Sequence, residues 1–155
     1  MTIPAVPLTS MPDPALFDRV NASFSRQGLM RHLGVQLHAV EPGQAILRLP
    51  FGPGVTQQHG YFHGGATGAL ADTAGGYAAY TVFPENSAVM SVEFKINFLA
   101  PAQGDYLEAV GRVIRSGRTL TVCQVDVYGV SPEKRSHVAM VQQTLVCLPD
   151  ASNPG

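Results

Sequence analysis

Apolar residues recur along this chain with two different periods, and the changes of period divide it into elements. Phe17, Val20 and Phe24 are spaced as one face of a helix. Asp13 before Pro14 supplies an N-cap followed by proline at the first helical position. This spacing predicts an amphipathic helix from about residue 13 to about 32, fraying around Gly28. From Gly34 the period falls to two. Val35, Leu37 and Ala39 alternate with polar residues, Glu41-Pro42-Gly43 turns, and Ala45, Leu47 and Leu49 alternate again, which predicts a hairpin. Residues 50–62 read as a long loop rich in proline, glycine and glutamine.

Residues 64–82 form the second helical candidate, built almost wholly from alanine and glycine. Each interior glycine costs about 0.5–1 kcal/mol relative to alanine, so packing must hold this helix, and its thinness suits a sheet wrapped closely around it. Strands are expected over 88–99, 105–115, 118–130 and 136–148. In the first of these, Met90, Val92, Phe94, Ile96 and Phe98 fall on one face and Ser91, Glu93, Lys95 and Asn97 on the other. The expected fold is α+β: a six-stranded, mostly antiparallel sheet around one long helix, with an N-terminal helix before it. Residues 1–12, with three prolines, read as a loosely held arm, residues 13–149 as one domain, and 150–155 as a tail.

Charge narrows the partners. The 155 residues carry 10 Lys and Arg against 11 Asp and Glu, a formal charge of −1, which leaves no broad basic face for nucleic acid. Only 14% of residues are charged, low enough to suggest that another copy of the chain covers part of the surface. The N-terminus lacks the pattern of a signal peptide and no apolar run is long enough to span a membrane, so a cytoplasmic location is expected. Cys123 and Cys147 read as two buried thiols. His59 and His63 are four apart but lack the glutamate of a zinc helix, and no metal is expected.

The chemistry concentrates in His63-Gly64-Gly65 and Asp72. A carboxylate among small apolar residues costs several kcal/mol, about the scale of a desolvated charge, unless it is hydrogen-bonded. The diglycine at a helix start offers backbone N–H groups and the positive end of a dipole to an electronegative atom.

Gly60-Tyr61-Phe62-His63-Gly64-Gly65, then Leu70-Ala71-Asp72-Thr73-Ala74, then Ser91-Val92-Glu93-Phe94-Lys95-Ile96-Asn97-Phe98-Leu99-Ala100-Pro101 resemble the phenylacetate-degradation (PaaI-type) branch of the hotdog-fold acyl-CoA thioesterases. The likeness runs from about Leu33 to Leu148. It implies a helix lying in a wrapped sheet, sheets joined edge to edge in a homodimer, dimers paired into a homotetramer, and hydrolysis of acyl-CoA to a carboxylic acid and CoA without a further cofactor.

Thioester hydrolysis needs donors for the developing oxyanion and a carboxylate that activates water or attacks directly. Gly64, with Gly65 beside it, suits the first role and Asp72 the second, as general base or nucleophile. Asp72 lies eight residues beyond Gly64, about 12 Å along a helix at ~1.5 Å per residue, too far for one aspartate to reach a carbonyl bound at its own helix start. The spacing therefore asks for Gly64 of one subunit with Asp72 of another.

By the same resemblance His63 fixes the loop or bonds near the thioester, or is simply a loop histidine. Gln57, six residues before His63, orients water or carbonyl, or is solvated. Ser91 helps hold the water, or is an ordinary strand residue. Gly76 stands where the 4-hydroxybenzoyl-CoA branch has a hydroxyl residue, a departure from that branch. Arg115-Ser116-Gly117-Arg118-Thr119 forms a turn whose guanidiniums suit the phosphates of CoA. Two other readings stay open: an acyl-CoA hydratase or dehydratase using His63 with Asp72, and a non-catalytic acyl-CoA-binding module.

Overall fold

The computed structural model describes residues 7–9 and 11–149. Residues 1–6 and 10 of the expected arm, and the expected tail, lie outside the described residues. Within the arm, Thr9 is tied to the domain: its backbone N–H and hydroxyl donate to the Glu41 carboxylate at 2.8 and 3.1 Å.

Helix α1 spans Pro14–Phe24 and starts as its sequence dictates, with Asp13 Oδ1 accepting from the N–H groups of Ala15 and Leu16. It does not continue to residue 32. Gln27 is extended (φ −74°, ψ 107°) and a separate helix α2 runs over Gly28–Leu33, closed by Gly34 at φ +78°. The expected fraying at Gly28 is a full break, which turns the chain at Gln27.

Six antiparallel strands follow: β1 (Gln36–Glu41), β2 (Gln44–Pro50), β3 (Ala88–Phe98), β4 (Tyr106–Ser116), β5 (Leu120–Ser131) and β6 (Lys134–Leu148), in the order β1-β2-β4-β5-β6-β3. Helix α3 (Gly64–Tyr80) lies between β2 and β3 in sequence and packs against β2 through β6. Leu70, Ala71, Ala74, Ala78 and Ala79 on this helix are wholly buried. The close approach explains its composition. A Cβ on Gly111 of β4 would collide with the Ala74 carbonyl and lie 2.9 Å from the Gly75 nitrogen; one on Gly75 would collide with the Gln143 amide oxygen. Both cysteines are buried and free, and burial pushes the Cys123 thiol up to about 12. Among the described residues no helix is long and apolar enough to cross a membrane.

Two β-bulges alter the faces read from simple alternation. The pairing of β3 with β6 slips between Ser91 and Glu93, so that Ser91 lies opposite buried Leu145 while Phe94 lies opposite buried Gln143. Val92 is the inserted residue. Val89, Ser91, Phe94, Ile96 and Phe98 therefore share the helix side, whereas Met90 faces away and Val92 is 55% exposed. The expected apolar face holds only from Phe94 onward, and Ser91 leaves the polar face to which alternation assigns it. A similar slip at His38 in β1 sends Ala39 to the outer face beside Ile46.

Candidate active site

His63 is the N-cap of α3, and its Nδ1 accepts from the Gly65 N–H at 2.7 Å. That bond places the imidazole proton on Nε2 and commits one of the two glycine N–H groups. The other, on Gly64, meets no protein acceptor among the described residues. It stands at the positive end of a 17-residue helix, and the Phe98 ring lies 3.1 Å from where a Gly64 side chain would begin.

Two turns along, Asp72 is held from one side. Ser91 Oγ donates to Asp72 Oδ1 at 2.6 Å, and Gln143 Nε2 donates to the same oxygen at 2.6 Å. Gln143 Nε2 also lies 3.0 Å from Ser91 Oγ and 3.2 Å from the Asp72 carbonyl oxygen. Asp72 Oδ2 has no protein donor among the described residues. A cleft of about 190 Å³ opens here, lined by Gln27, Asp72, Thr73, Gly76, Tyr77, Val89, Ser91 and Leu145. The helix break at Gln27 delivers that side chain to the cleft, where Nε2 donates to the Tyr77 hydroxyl at 3.1 Å; Ser23 holds the same hydroxyl. Burial pushes the Tyr77 phenol up from its usual value, against these two hydrogen bonds, and it stays a neutral phenol.

The remaining expected residues are more dispersed. Gln57 lies in a turn of the 50–62 loop, its Oε1 accepting from the His59 N–H and its own N–H donating to the Tyr61 carbonyl. The loop is anchored beside α3, since the His63 N–H donates to Val55 and the Phe62 N–H to Ala102. The turn Arg115–Thr119 joins β4 to β5. Gly117 closes it on the Leu120 carbonyl, Ser116 Oγ meets Thr121 Oγ1, and Arg115 and Arg118 are exposed without an acidic partner among the described residues. Ser91, Leu145, Thr121 and Ser116 form one row across four strands. The turn thus sits at the Asp72 end of the sheet, two to three strand spacings of about 4.8 Å away. The structure brings Asp72 and Ser91 together; it keeps Gly64 and His63 two helical turns from them within one chain.

Sequence reading missed Gln143 and Gln27. The first had a signal: Gln143 is in phase with Val141 and Leu145, a polar residue on a strand face that otherwise builds the core.

A six-stranded antiparallel sheet wrapped on one long helix is the hotdog fold, as expected. A family model described as the thioesterase superfamily matches residues 59–134. A thioesterase family protein from Silicibacter pomeroyi is 37% identical and superposes with a TM-score of 0.84, covering 86% of this chain and 98% of that one. The 1,4-dihydroxy-2-naphthoyl-CoA hydrolase of Listeria monocytogenes is 29% identical over 100 residues, 64% of this chain and 81% of that protein. The PaaI protein from the phenylacetic acid degradation operon of E. coli has a TM-score of 0.74 at 23% identity, covering 84% of this chain and 91% of that one, a likeness of fold alone. The chain belongs to the thioesterase superfamily.

Proposed function

We propose that this protein hydrolyses acyl-CoA thioesters at a site shared by two copies, with Asp72 of one subunit acting on a carbonyl held by the Gly64 N–H of the other. The observation that carries this reading is the division of labour at Asp72: one carboxylate oxygen is saturated by donors and the other is left without a protein donor beside an open cleft. Thioester hydrolysis uses that free oxygen as base or nucleophile, while the unbonded N–H at a helix start meets the oxyanion. Engagement of His63 Nδ1 by Gly65 argues against a histidine base and therefore against hydratase chemistry.

The edge of the sheet supports the pairing. Strand β3 is terminal and exposes Met90, Val92, Phe94 and Phe98, an edge of the kind that soluble proteins cover. On β3, Ser91 marks the level of Asp72 and Phe98 marks the level of Gly64. An antiparallel partner that sets one level against the other is centred near Phe94 and Lys95. Glu93 and Lys95, both on the outer face, then become direct or diagonal cross-strand neighbours of opposite charge. Arg115 and Arg118 take the CoA phosphates.

The test is complementation. Asp72→Asn removes the carboxylate. Gly64→Pro removes the N–H where the backbone already suits proline, at the first helical position after an extended His63 (φ −67°, ψ 138°), and Gly64→Ala, which keeps the N–H, controls for the bulk added against the Phe98 ring. Asp72→Asn and Gly64→Pro each lose at least about 100-fold in acyl-CoA hydrolysis. Mixed after unfolding and refolding, the two recover about a quarter of wild-type activity, because half the dimers hold one intact site of two. Full turnover by Asp72→Asn, or no recovery on mixing, refutes the shared site.

A further inference from the structure

The structure assigns Gln143 as the positioning residue that decides which oxygen of Asp72 reacts. The assignment rests on the proposed hydrolytic role of Asp72 and extends it to a side chain that never touches substrate.

Gln143 lies on β6 with no exposure to solvent, in register between Cys123 of β5 and Phe94 of β3. A glutamine at such a position buries two polar ends, and both are normally satisfied. Here only one is. Nε2 serves Asp72 Oδ1, Ser91 Oγ and the Asp72 carbonyl, whereas Oε1 has no partner and rests against Gly75. The opposite amide orientation would press Oε1 against a carboxylate oxygen 2.6 Å away, so the network itself sets the amide. The fold therefore keeps an unsatisfied buried oxygen in order to keep the donor. Glycine at position 75 makes the room that this oxygen occupies.

The consequence falls on Asp72. Ser91 is both an acceptor from Gln143 and a donor to Oδ1, so the amide also orients the hydroxyl. Both donors converge on Oδ1, and Oδ2 is presented to the cleft in a fixed plane. Without Gln143 the carboxylate is held by Ser91 alone, and Ser91 loses the group that sets its proton. Binding of substrate, which depends on the cleft walls and the phosphate turn, is untouched.

Two variants and a spectroscopic readout test this in the full-length protein. Gln143→Met keeps the length of the side chain, removes the donor and also removes the unsatisfied oxygen. Its thermal midpoint is expected to equal or exceed that of wild type, while kcat for acyl-CoA hydrolysis falls 10- to 100-fold with KM within about two-fold. Gln143→Glu sets a second carboxylate beside the first, and the acid limb of its kcat/KM profile moves to higher pH. In wild type the Gln143 side-chain amide protons are protected from exchange, and their ¹⁵N-correlated signals shift in Asp72→Ala. A Gln143→Met enzyme with unchanged kcat, alongside an inactive Asp72→Asn, overturns this inference and leaves the role of Asp72 standing. An Asp72→Asn enzyme with full turnover refutes the hydrolytic reading instead, and amide signals indifferent to Asp72 then overturn the contact itself.

Discussion

Ser91 reaches Asp72 because Val92, its neighbour, is a residue too many for the strand. Without that insertion Ser91 would share a face with Glu93 and Lys95 and point away from α3. The bulge rotates it onto the helix side, where its hydroxyl lies 2.6 Å from the carboxylate. A hydrogen bond to a charged group contributes about 1.5–3 kcal/mol. Ser91→Ala should therefore lower kcat for acyl-CoA hydrolysis roughly 10- to 100-fold while leaving the far-ultraviolet circular dichroism unchanged. An unaltered kcat would remove Ser91 from the site.

The proposed pairing of β3 edges predicts a charge-swap result. Glu93→Lys places like charges together at the two-fold centre and should weaken the dimer, measured by sedimentation at low salt. Glu93→Lys combined with Lys95→Glu should restore it. Equal dimer affinity in all three proteins would exclude the register centred near Phe94 and Lys95.

Glycines around α3 should respond in opposite senses. Gly111→Ala drives a methyl into the Ala74 carbonyl, where neither backbone can give way, so a loss toward the top of the roughly 1–3 kcal/mol range of overpacking is expected. Gly76→Ala meets only Leu145 Cδ2 at an ordinary 3.7 Å and should gain about 0.5–1 kcal/mol from helix propensity. Urea denaturation of the pair measures both.

Acid should act on the bulge in β1. Partial desolvation of this largely exposed imidazole, followed by the nearby Arg48 guanidinium and opposed by Glu108, lowers His38 from its ordinary 6.5. Below that value the unfolded chain takes up the proton first, so stability is intact above pH 6.5 and declines as pH falls through it toward the folded-state value. His38→Gln should flatten the stability profile over that interval in chemical denaturation at stepped pH. An identical profile in the variant would clear His38 of the effect.

Strand and helix identities were legible where their causes are local: Asp13-Pro14 starts α1, the period changes from helix to strand at Gly34, and Ala45, Leu47 and Leu49 alternate through β2. Asp72 and the diglycine stood out because a carboxylate and unbonded N–H groups are conspicuous among alanines. The bulges at His38 and Val92 were not legible, since a slipped register is decided by which partner residues fit across the ladder. Alternation alone therefore put Ser91 on the wrong side even as family likeness put it in the site. Gln143 stayed hidden for a related reason. Its importance comes from lying under Asp72, 71 positions earlier, a proximity that only the closed sheet creates. Gln27 likewise reaches the cleft through a hydrogen bond to Tyr77, 50 positions later in the chain.

The alanine and glycine make-up of α3 has one more consequence, for the order of events in folding. A peptide of this segment has too little intrinsic helicity to persist alone in water. Its turns become worthwhile only as the sheet closes over them, and that sheet is completed by pairing β2 with β4 and β3 with β6, strands far apart in the chain. Amide protection in α3 should therefore appear together with that of the sheet in pulse-labelled refolding, making the helix that carries Asp72 a late arrival whose order is inherited from its surroundings.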